Sequence, residues 1–394
     1  MDILGTLNFI LSVVIGLVIL VILVAMHEFG HGVVARRNGV RVKEFGIGFP
    51  PKAKGWIVKS SVLGKNVLYS LNWLPLGGFV SLQGEHDSAM KKGDFGAASF
   101  WAKTKILLAG VFVNWVTAAV LLTIVAAIGM PKMIDNQFTI PSDVITQSEP
   151  VKVAAVSSGL PADKAGLRVG DELVAVAGVQ MDDSKKLTAI AKEHVGTSIE
   201  IVYKRDGVEK TVPVTLRANN DDKKGYLGLS GTQRTTYRST WSAPIVGVVL
   251  TGQFTAYTFQ GLGTTFVNFI TGLAQKFSLN SATREAGGEK LAEVNQNVGG
   301  PIAILGMLFP AARADGLGSL LLVTALISLT LAVMNVLPIP ALDGGRWFVT
   351  FLYRKVLKKP LTREKEEKIH GTGFMVLMGL FVVIVIADIM KLGH

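Results

Sequence analysis

The chain has 394 residues, of which 49% are hydrophobic and only 18% charged, a mean hydropathy of +0.43 and no cysteine. This balance excludes a disordered or purely soluble protein and points to a membrane protein. Without cysteine there is no disulfide scaffold, thiol nucleophile, iron–sulfur cluster or thiolate zinc site, so any metal must rest on histidine and carboxylates. The formal net charge of +11 is spread over loops in a way that fits an anionic membrane surface, and no nucleic-acid motif accompanies it.

Four stretches lack Asp, Glu, Lys and Arg for roughly the length a bilayer requires: Ile3 up to Glu28, Ile106–Met130, Gly316–Leu342 and the shorter Gly371–Ala387. They predict four transmembrane helices. The first has Asp2 instead of a basic flank and runs on into charged, motif-bearing sequence, so it is read as a retained span and not as a signal peptide. Residues 34–105 carry 12 Lys and Arg against 4 Asp and Glu, residues 341–371 carry 8 against 4, and residues 131–317 carry 19 against 18. The positive-inside rule then puts the two basic loops in the cytoplasm and the long segment outside, with both termini facing outward.

Within that long segment, Val151–Val156, Leu173–Val176, Ile199–Tyr203 and Thr211–Leu216 alternate apolar and polar residues as strands do. The run Gly159-Leu-Pro-Ala-Asp-Lys-Ala-Gly-Leu-Arg-Val-Gly-Asp171 resembles a bacterial PDZ signature, and Gly225-Tyr-Leu-Gly-Leu229 resembles that fold's carboxylate-binding loop. Its place after the other strands implies a circularly permuted PDZ domain. Such a domain captures a peptide C-terminus by strand addition, or serves as a passive cap against large substrates. From Ser239 to Gln275 an uncharged stretch spaces Leu250, Phe254, Tyr257, Leu262, Phe266, Phe269 and Leu273 on one helical face, with threonines and amides on the remainder. This pattern predicts an amphipathic helix on the outer leaflet and not a fifth span. Ser278–Gly288 reads as a loop, and Arg363–Lys368 as a solvated helical face.

The chemistry concentrates in His27-Glu-Phe-Gly-His31 at the end of the first apolar helix. Residues four apart share a helical face, so both imidazoles can reach one Zn²⁺, with Glu28 beside them as general base. Ionisable groups at membrane depth are expensive and mark function. A catalytic zinc takes three protein ligands and keeps a fourth position open. The other histidines, His86, His194, His370 and His394, stand in no apolar helix close to the motif. Asp343, in Asn335-Val-Leu-Pro-Ile-Pro-Ala-Leu-Asp-Gly-Gly345, falls at the same cytoplasmic depth and completes a His₂Asp set. Pro338 and Pro340 each remove a backbone donor and deny the third helix a regular end.

These two motifs, with a PDZ-like unit between them, resemble the site-2 protease family of intramembrane zinc metalloproteases, and within it the sigma-E-regulating bacterial branch in a single-PDZ form. The likeness covers nearly the whole chain, including Gly46-Ile-Gly-Phe-Pro50, Leu76–Glu85 and Val298–Ala303. It implies a single catalytic Zn²⁺ on His27, His31 and Asp343, Glu28 as base, and Asn335 as a substrate-contacting amide. Ala109-Gly-Val-Phe-Val-Asn114 matches a second-helix motif except that Val111 replaces the usual proline, so the local kink is not implied while Asn114 is retained as a substrate or helix-contact residue. Leu76–Glu85 implies a membrane-associated β-element, and Gly78, Phe79 and Val80 would lie on an edge strand that pairs with an unwound substrate. Pro338 joins this substrate-binding set.

The implied architecture is a polytopic α-helical membrane protein: an N-terminal membrane part (1–130), a PDZ domain (145–232), an amphipathic surface helix and loop (239–298) and a C-terminal membrane part (299–394). The implied function is hydrolysis within transmembrane segments of single-span proteins, such as anti-sigma factors and remnant signal peptides, in regulated intramembrane proteolysis. Its partners would be those substrates, membrane lipid and a peptide C-terminus, with no nucleic acid, and its place the bacterial inner membrane. The alternative is a catalytically silent PDZ-bearing membrane scaffold. A transporter using the same three ligands fits poorly with the proline pair and the large outer domain.

Overall fold

The computed structural model describes residues 3–222 and 224–392; His394 lies outside them. Four helices among the described residues are long and apolar enough to cross a membrane: Leu4–Arg37, Phe100–Ile128, Leu317–Val336 and Arg363–Lys391. The chain divides into two compact units, residues 1–125 with 244–394, and residues 126–243.

In the first unit, α1 (Ile3–Arg37) leads into two long strands, β1 (Val42–Ser61) and β2 (Gly64–Leu82). β2 folds back on itself, so that Phe45–Ile47 pair with Tyr69–Leu71 on one side and with Val80–Gly78 on the other. Phe49, Trp56, Ile57, Leu71, Trp73 and Leu74 are exposed on this element. Phe45, Val67 and Leu63 instead pack with Ala35, Phe95, Ile106 and Leu107 in a core that Trp347 abuts. The second spanning stretch is made of α2 (Phe100–Leu107) and α3 (Ala109–Ile128), interrupted at Leu108, where the Leu108 and Phe112 amides still donate to Thr104 and Leu108 carbonyls at 3.0 Å.

The second unit begins with β3 (Met130–Pro131) and β4 (Ile145–Ser148), both paired to β11 (Thr235–Arg238). Its main sheet runs in the order β10 (Leu229–Thr232), β5 (Lys152–Val156), β6 (Glu172–Val176), β8 (Ser198–Arg205), β9 (Val208–Thr215), with β7 (Val179–Gln180) on β6. The short α4 (Pro161–Lys164) and α5 (Ser184–Glu193) complete it. Val151, Val153, Leu173, Val176, Leu187, Ile190, Ile199, Ile201 and Val214 form one buried core, as the period-two pattern requires.

An ion pair inside this unit sets a pH dependence. Asp171, 2% exposed, accepts from Arg205 Nε and Nη2 at 2.6 Å and from the Arg168 amide at 2.7 Å. Burial favours its neutral form, but the Arg205 fork and the Arg168 amide outweigh burial and hold the carboxyl below its ordinary range. Because the folded-state value lies below the unfolded one, this contribution is complete above about pH 4 and fades as pH falls through the lowered value. Protection of the β6 and β8 amides, each exchange rate taken relative to the unstructured chain at the same pH, should therefore hold from pH 7 to 5 and fall below about pH 4. An Arg205→Gln variant with the wild-type profile would contradict the assignment.

Returning to the first unit, α6 (Ala243–Lys276) and α7 (Ser281–Asn297) form a helical pair, followed by α8 (Pro301–Ala303), a π-helical turn at Ile304–Leu308 and α9 (Phe309–Asp315). The first half of α6 runs along α3: Trp115 Nε1 donates to Thr255 Oγ1 at 3.2 Å, and a Cβ on Gly247 would stand 2.6 Å from the Thr123 amide nitrogen. Gly247 and Thr255 thus face a neighbouring helix, whereas Phe266, Phe269 and Ile270 are exposed in the second half. Ser278–Gly288, expected to be a loop, is helical from Ser281. Asn280 Oδ1 caps the Ala282 amide at 2.9 Å, and Gly287 is required because a Cβ there would meet the Lys276 backbone at 2.7 Å.

The remaining helices are α10 (Leu317–Val336), α11 (Asp343–Phe351), which passes into a π-helical turn at Leu352–Val356, and α12 (Arg363–Leu392). Near the end of α12, the buried Asp388 accepts from the Gly300 and Ala303 amides at 3.1 and 3.0 Å, capping α8. The run Arg363–Lys368 is not wholly solvated: Glu366 is 5% exposed and accepts from the Asp87 amide at 2.8 Å. Asp87 in turn pairs with the fully buried Lys103 and with Arg354 Nε at 2.9 Å. Buried charges persist only when paired, and this network ties the loop after β2 to three helices.

Candidate metal centre

The apolar sequence of α1 delivers His27 and His31 one helical turn apart, 5% and 6% exposed. Their rings meet edge to face with centroids 4.7 Å apart, and their Nε2 atoms are 3.1 Å apart. Asp343 Oδ2 lies 2.9 Å from His27 Nε2 and 3.2 Å from His31 Nε2. Thus three donors from two helices 312 residues apart in sequence converge on one point. Gly110 on α3 closes a third side: a Cβ there would lie 2.5 Å from His31 Nε2 and 2.6 Å from His27 Nε2.

The partners of the outer ring nitrogens test whether a metal fits. His31 Nδ1 lies 2.7 Å from the Ile106 carbonyl, to which it can only donate, so its Nε2 carries the lone pair that faces Asp343. Asn114 Nδ2 stands 3.3 Å from His27 Nδ1, while Asn114 Oδ1 is buried without a partner among the described residues. Turning this amide over removes both mismatches: Oδ1 accepts from His27 Nδ1–H, and His27 Nε2 also presents a lone pair inward. A tetrahedral Zn²⁺ with bonds of about 2.0–2.2 Å wants ligand atoms about 3.4 Å apart, close to the separations found. The residues present fit the ion.

Asp343 reaches the pair because α10 stops at Val336. Pro338 and Pro340 offer no amide hydrogen, and the chain turns through Ile339 N–H to the Leu337 carbonyl at 2.8 Å and Leu342 N–H to the Ile339 carbonyl at 3.1 Å. Asp343 then opens α11 at its first helical position, where a carboxylate is favoured. The two glycines that follow are obligatory: a Cβ at Gly344 would sit 2.3 Å from the Val336 oxygen, and one at Gly345 1.9 Å from the Ile339 oxygen.

Glu28 and the β-element also meet. Glu28 Oε2 accepts from the Val80 amide at 3.0 Å. Gly78 is buried, and a Cβ on it would approach the Gly46 carbonyl to 3.0 Å; Phe79 lays its ring over Gly46. Asn335 is half-buried on the last turn of α10, and its amide makes no hydrogen bond among the described residues. Pro338 is exposed beside it. Asn114, by contrast, is 1% exposed and lies against His27.

Two features escape the sequence reading: Gly110 touches the centre and His370 the loop that bears Asp343, with His370 Nδ1 accepting from the Ala341 amide at 3.2 Å. The available signal was a histidine at the mouth of an apolar span, where ionisable groups are rarely idle.

A histidine pair with the spacing of zinc ligands on an apolar helix, with a glutamate between and an aspartate opposite, has the donor set of membrane zinc metalloproteases. The family model of peptidase family M50 matches residues 15–380, and the chain belongs to that family, the site-2 proteases. A Clostridium perfringens protein named provisionally as a zinc metalloprotease is 32% identical over 373 residues, covering 93% of this chain and 95% of its own. The regulator of sigma-W protease RasP of Bacillus subtilis is 25% identical over 467 residues, covering 98% and 99%. The chloroplastic membrane metalloprotease ARASP of Arabidopsis thaliana is 28% identical over 393 residues, covering 97% and 79%. The protein is a membrane zinc metalloprotease.

Proposed function

We propose that this enzyme cuts peptide bonds inside the transmembrane segments of single-span membrane proteins, with one zinc held by His27, His31 and Asp343. The observation that carries the reading is the convergence of these three side chains at the end of an apolar helix, with Glu28 one residue along. When bound, zinc polarises a scissile carbonyl and makes water acidic enough to deprotonate near neutral pH. Glu28 takes that proton on its carboxylate and returns it to the leaving amine. Asn335, whose amide is unpaired, binds the substrate backbone beside the ligands, and Pro338 keeps the adjacent backbone irregular. Asn114 holds His27 in the ligating tautomer.

A helical substrate hides its amides in its own hydrogen bonds, so it must open before hydrolysis. The strand Gly78–Val80 offers an edge for the opened peptide, and the contact between Val80 and Glu28 sets that edge beside the base. The exposed aromatic face of β1 and β2 seats this element in the membrane surface.

The charge bias of the loops supports a metal centre near the cytoplasmic face of a bacterial inner membrane, with residues 145–232 outside. These residues act as a permuted PDZ domain: β10 is the edge of its sheet, the loop Gly225–Leu229 leads into it, and α5 flanks it at Gly231. That groove takes the C-terminus left by an earlier outside cut. The second half of α6 lies on the membrane surface through its exposed apolar residues. Anti-sigma factors and remnant signal peptides are the substrate classes; the sigma-W relative is in keeping with the first.

The test is reconstitution in lipid vesicles with tagged single-span substrates, whole and trimmed on the outside, and mass mapping of the products. Cleavage at a bond within the span, stopped by chelation and restored by Zn²⁺, is expected. Binding of trimmed substrates without cleavage by a zinc-loaded protein would favour the scaffold instead.

A further inference from the structure

We propose that His370, with Gly373 one turn further along α12, is a positioning residue that clamps the loop between α10 and α11 so that the Asp343 carboxylate faces the histidine pair. This rests on the proposed ligand set. Three observations meet here. Ala341, two residues before Asp343, is a non-glycine residue with φ +82°, a conformation that L side chains rarely adopt and that persists only when the surroundings impose it. Its amide donates to His370 Nδ1 at 3.2 Å. Gly373 lets α12 come so close that an added Cβ would lie 2.5 Å from Pro340 Cβ and 2.6 Å from the Pro340 oxygen.

The loop has few other restraints. Pro338 and Pro340 cannot donate, and the Ile339 and Leu342 amides bond only within the loop. Among the described residues, the bond from Ala341 to His370 is the one backbone hydrogen bond that ties residues 337–342 to a helix other than the flanking α10 and α11. Nδ1 accepts only as an unprotonated nitrogen, so the half-buried imidazole is held with its lone pair toward Ala341. The neighbouring residues convert that restraint into ligand geometry: Leu342 caps α11, and Asp343 is its first helical residue. A loop free to relax Ala341 toward negative φ would rotate the start of α11 and swing the carboxylate away from Nε2 of both histidines.

The experiment uses the full chain purified in detergent, with Zn²⁺ affinity measured by chelator competition, the visible spectrum of the Co²⁺-substituted protein, and thermal unfolding of each metal-free variant. His370→Leu should raise the zinc dissociation constant by about 10- to 100-fold, the range for loss of a group that orients a metal ligand. It should also alter the Co²⁺ spectrum while leaving metal-free unfolding unchanged. His370→Asn, whose side-chain oxygen can accept from Ala341, should recover affinity to within about 3-fold of wild type. Gly373→Ala should weaken zinc as His370→Leu does, and carries the test if the leucine variant does not fold. Asp343→Ala serves as the control for the ligand set. Wild-type affinity and spectrum in both His370→Leu and Gly373→Ala, with metal lost in Asp343→Ala, would overturn the clamp alone. Retention of wild-type affinity in Asp343→Ala would overturn the ligand set and the clamp with it.

Discussion

Glu28→Gln is expected to lower peptide hydrolysis by about 10³-fold, within the range for removing a positioned general base, while the protein still binds about one zinc per chain. The reason lies in the division of labour on α1. His27 and His31 turn their Nε2 atoms toward Asp343, whereas the Glu28 carboxylate points to the Val80 amide and contributes no atom to the converging three. Glutamine keeps the shape and can accept from the same amide, but it cannot take up a proton at pH 7. Metal content and turnover should therefore separate in this variant. Loss of zinc together with activity would show that Glu28 is a ligand, and unchanged activity would remove it from the mechanism.

Asp343→Ala is expected to have the opposite pattern, losing zinc and activity together. Asp343 supplies the one anionic donor and brings it from another helix, so its removal leaves two neutral imidazoles, 3.1 Å apart at Nε2, from a single turn of α1. Two donors from one helix do not make the three-ligand set of a catalytic zinc. Affinity should fall by more than about 100-fold, beyond the loss when only an orienting partner is removed. Asp343→Glu tests the geometry: the extra methylene pushes the carboxylate into space already filled by the histidine rings, so it should not restore wild-type binding. Equilibrium dialysis against buffered zinc, with unfolding followed on the same samples, separates ligand loss from misfolding.

Much of this was legible in the sequence because each signal has a local cause. Uncharged runs of about bilayer length gave the four spanning helices, and the spacing of His27 and His31 follows from 3.6 residues per turn. Asp343 could be matched to the pair through depth, since both lie where an apolar run gives way to basic sequence on the same side. What escaped was packing between segments distant in sequence. Nothing in a linear pattern shows that Gly110 is small because two imidazoles lie over it, or that Asn114 meets His27. Ser278–Gly288 looked like a loop because glycine lowers helix propensity. There Gly287 is the price of close contact with the Lys276 backbone, and tertiary packing overrides propensity. Glu366 was hidden in a charged run for the same reason, because its partner, the Asp87 amide, is 279 residues away.

The most direct measurement is zinc-edge X-ray absorption on the purified full chain, wild type beside Asp343→Ala. Two imidazole nitrogens and one carboxylate oxygen at about 2.0–2.2 Å, with a further light atom in the open position, are expected in wild type, whereas the variant should hold little zinc as purified and, when loaded with excess zinc, should lack the carboxylate contribution. A shell of three or more imidazoles, or a wild-type spectrum that survives Asp343→Ala, would contradict the assignment of zinc to His27, His31 and Asp343.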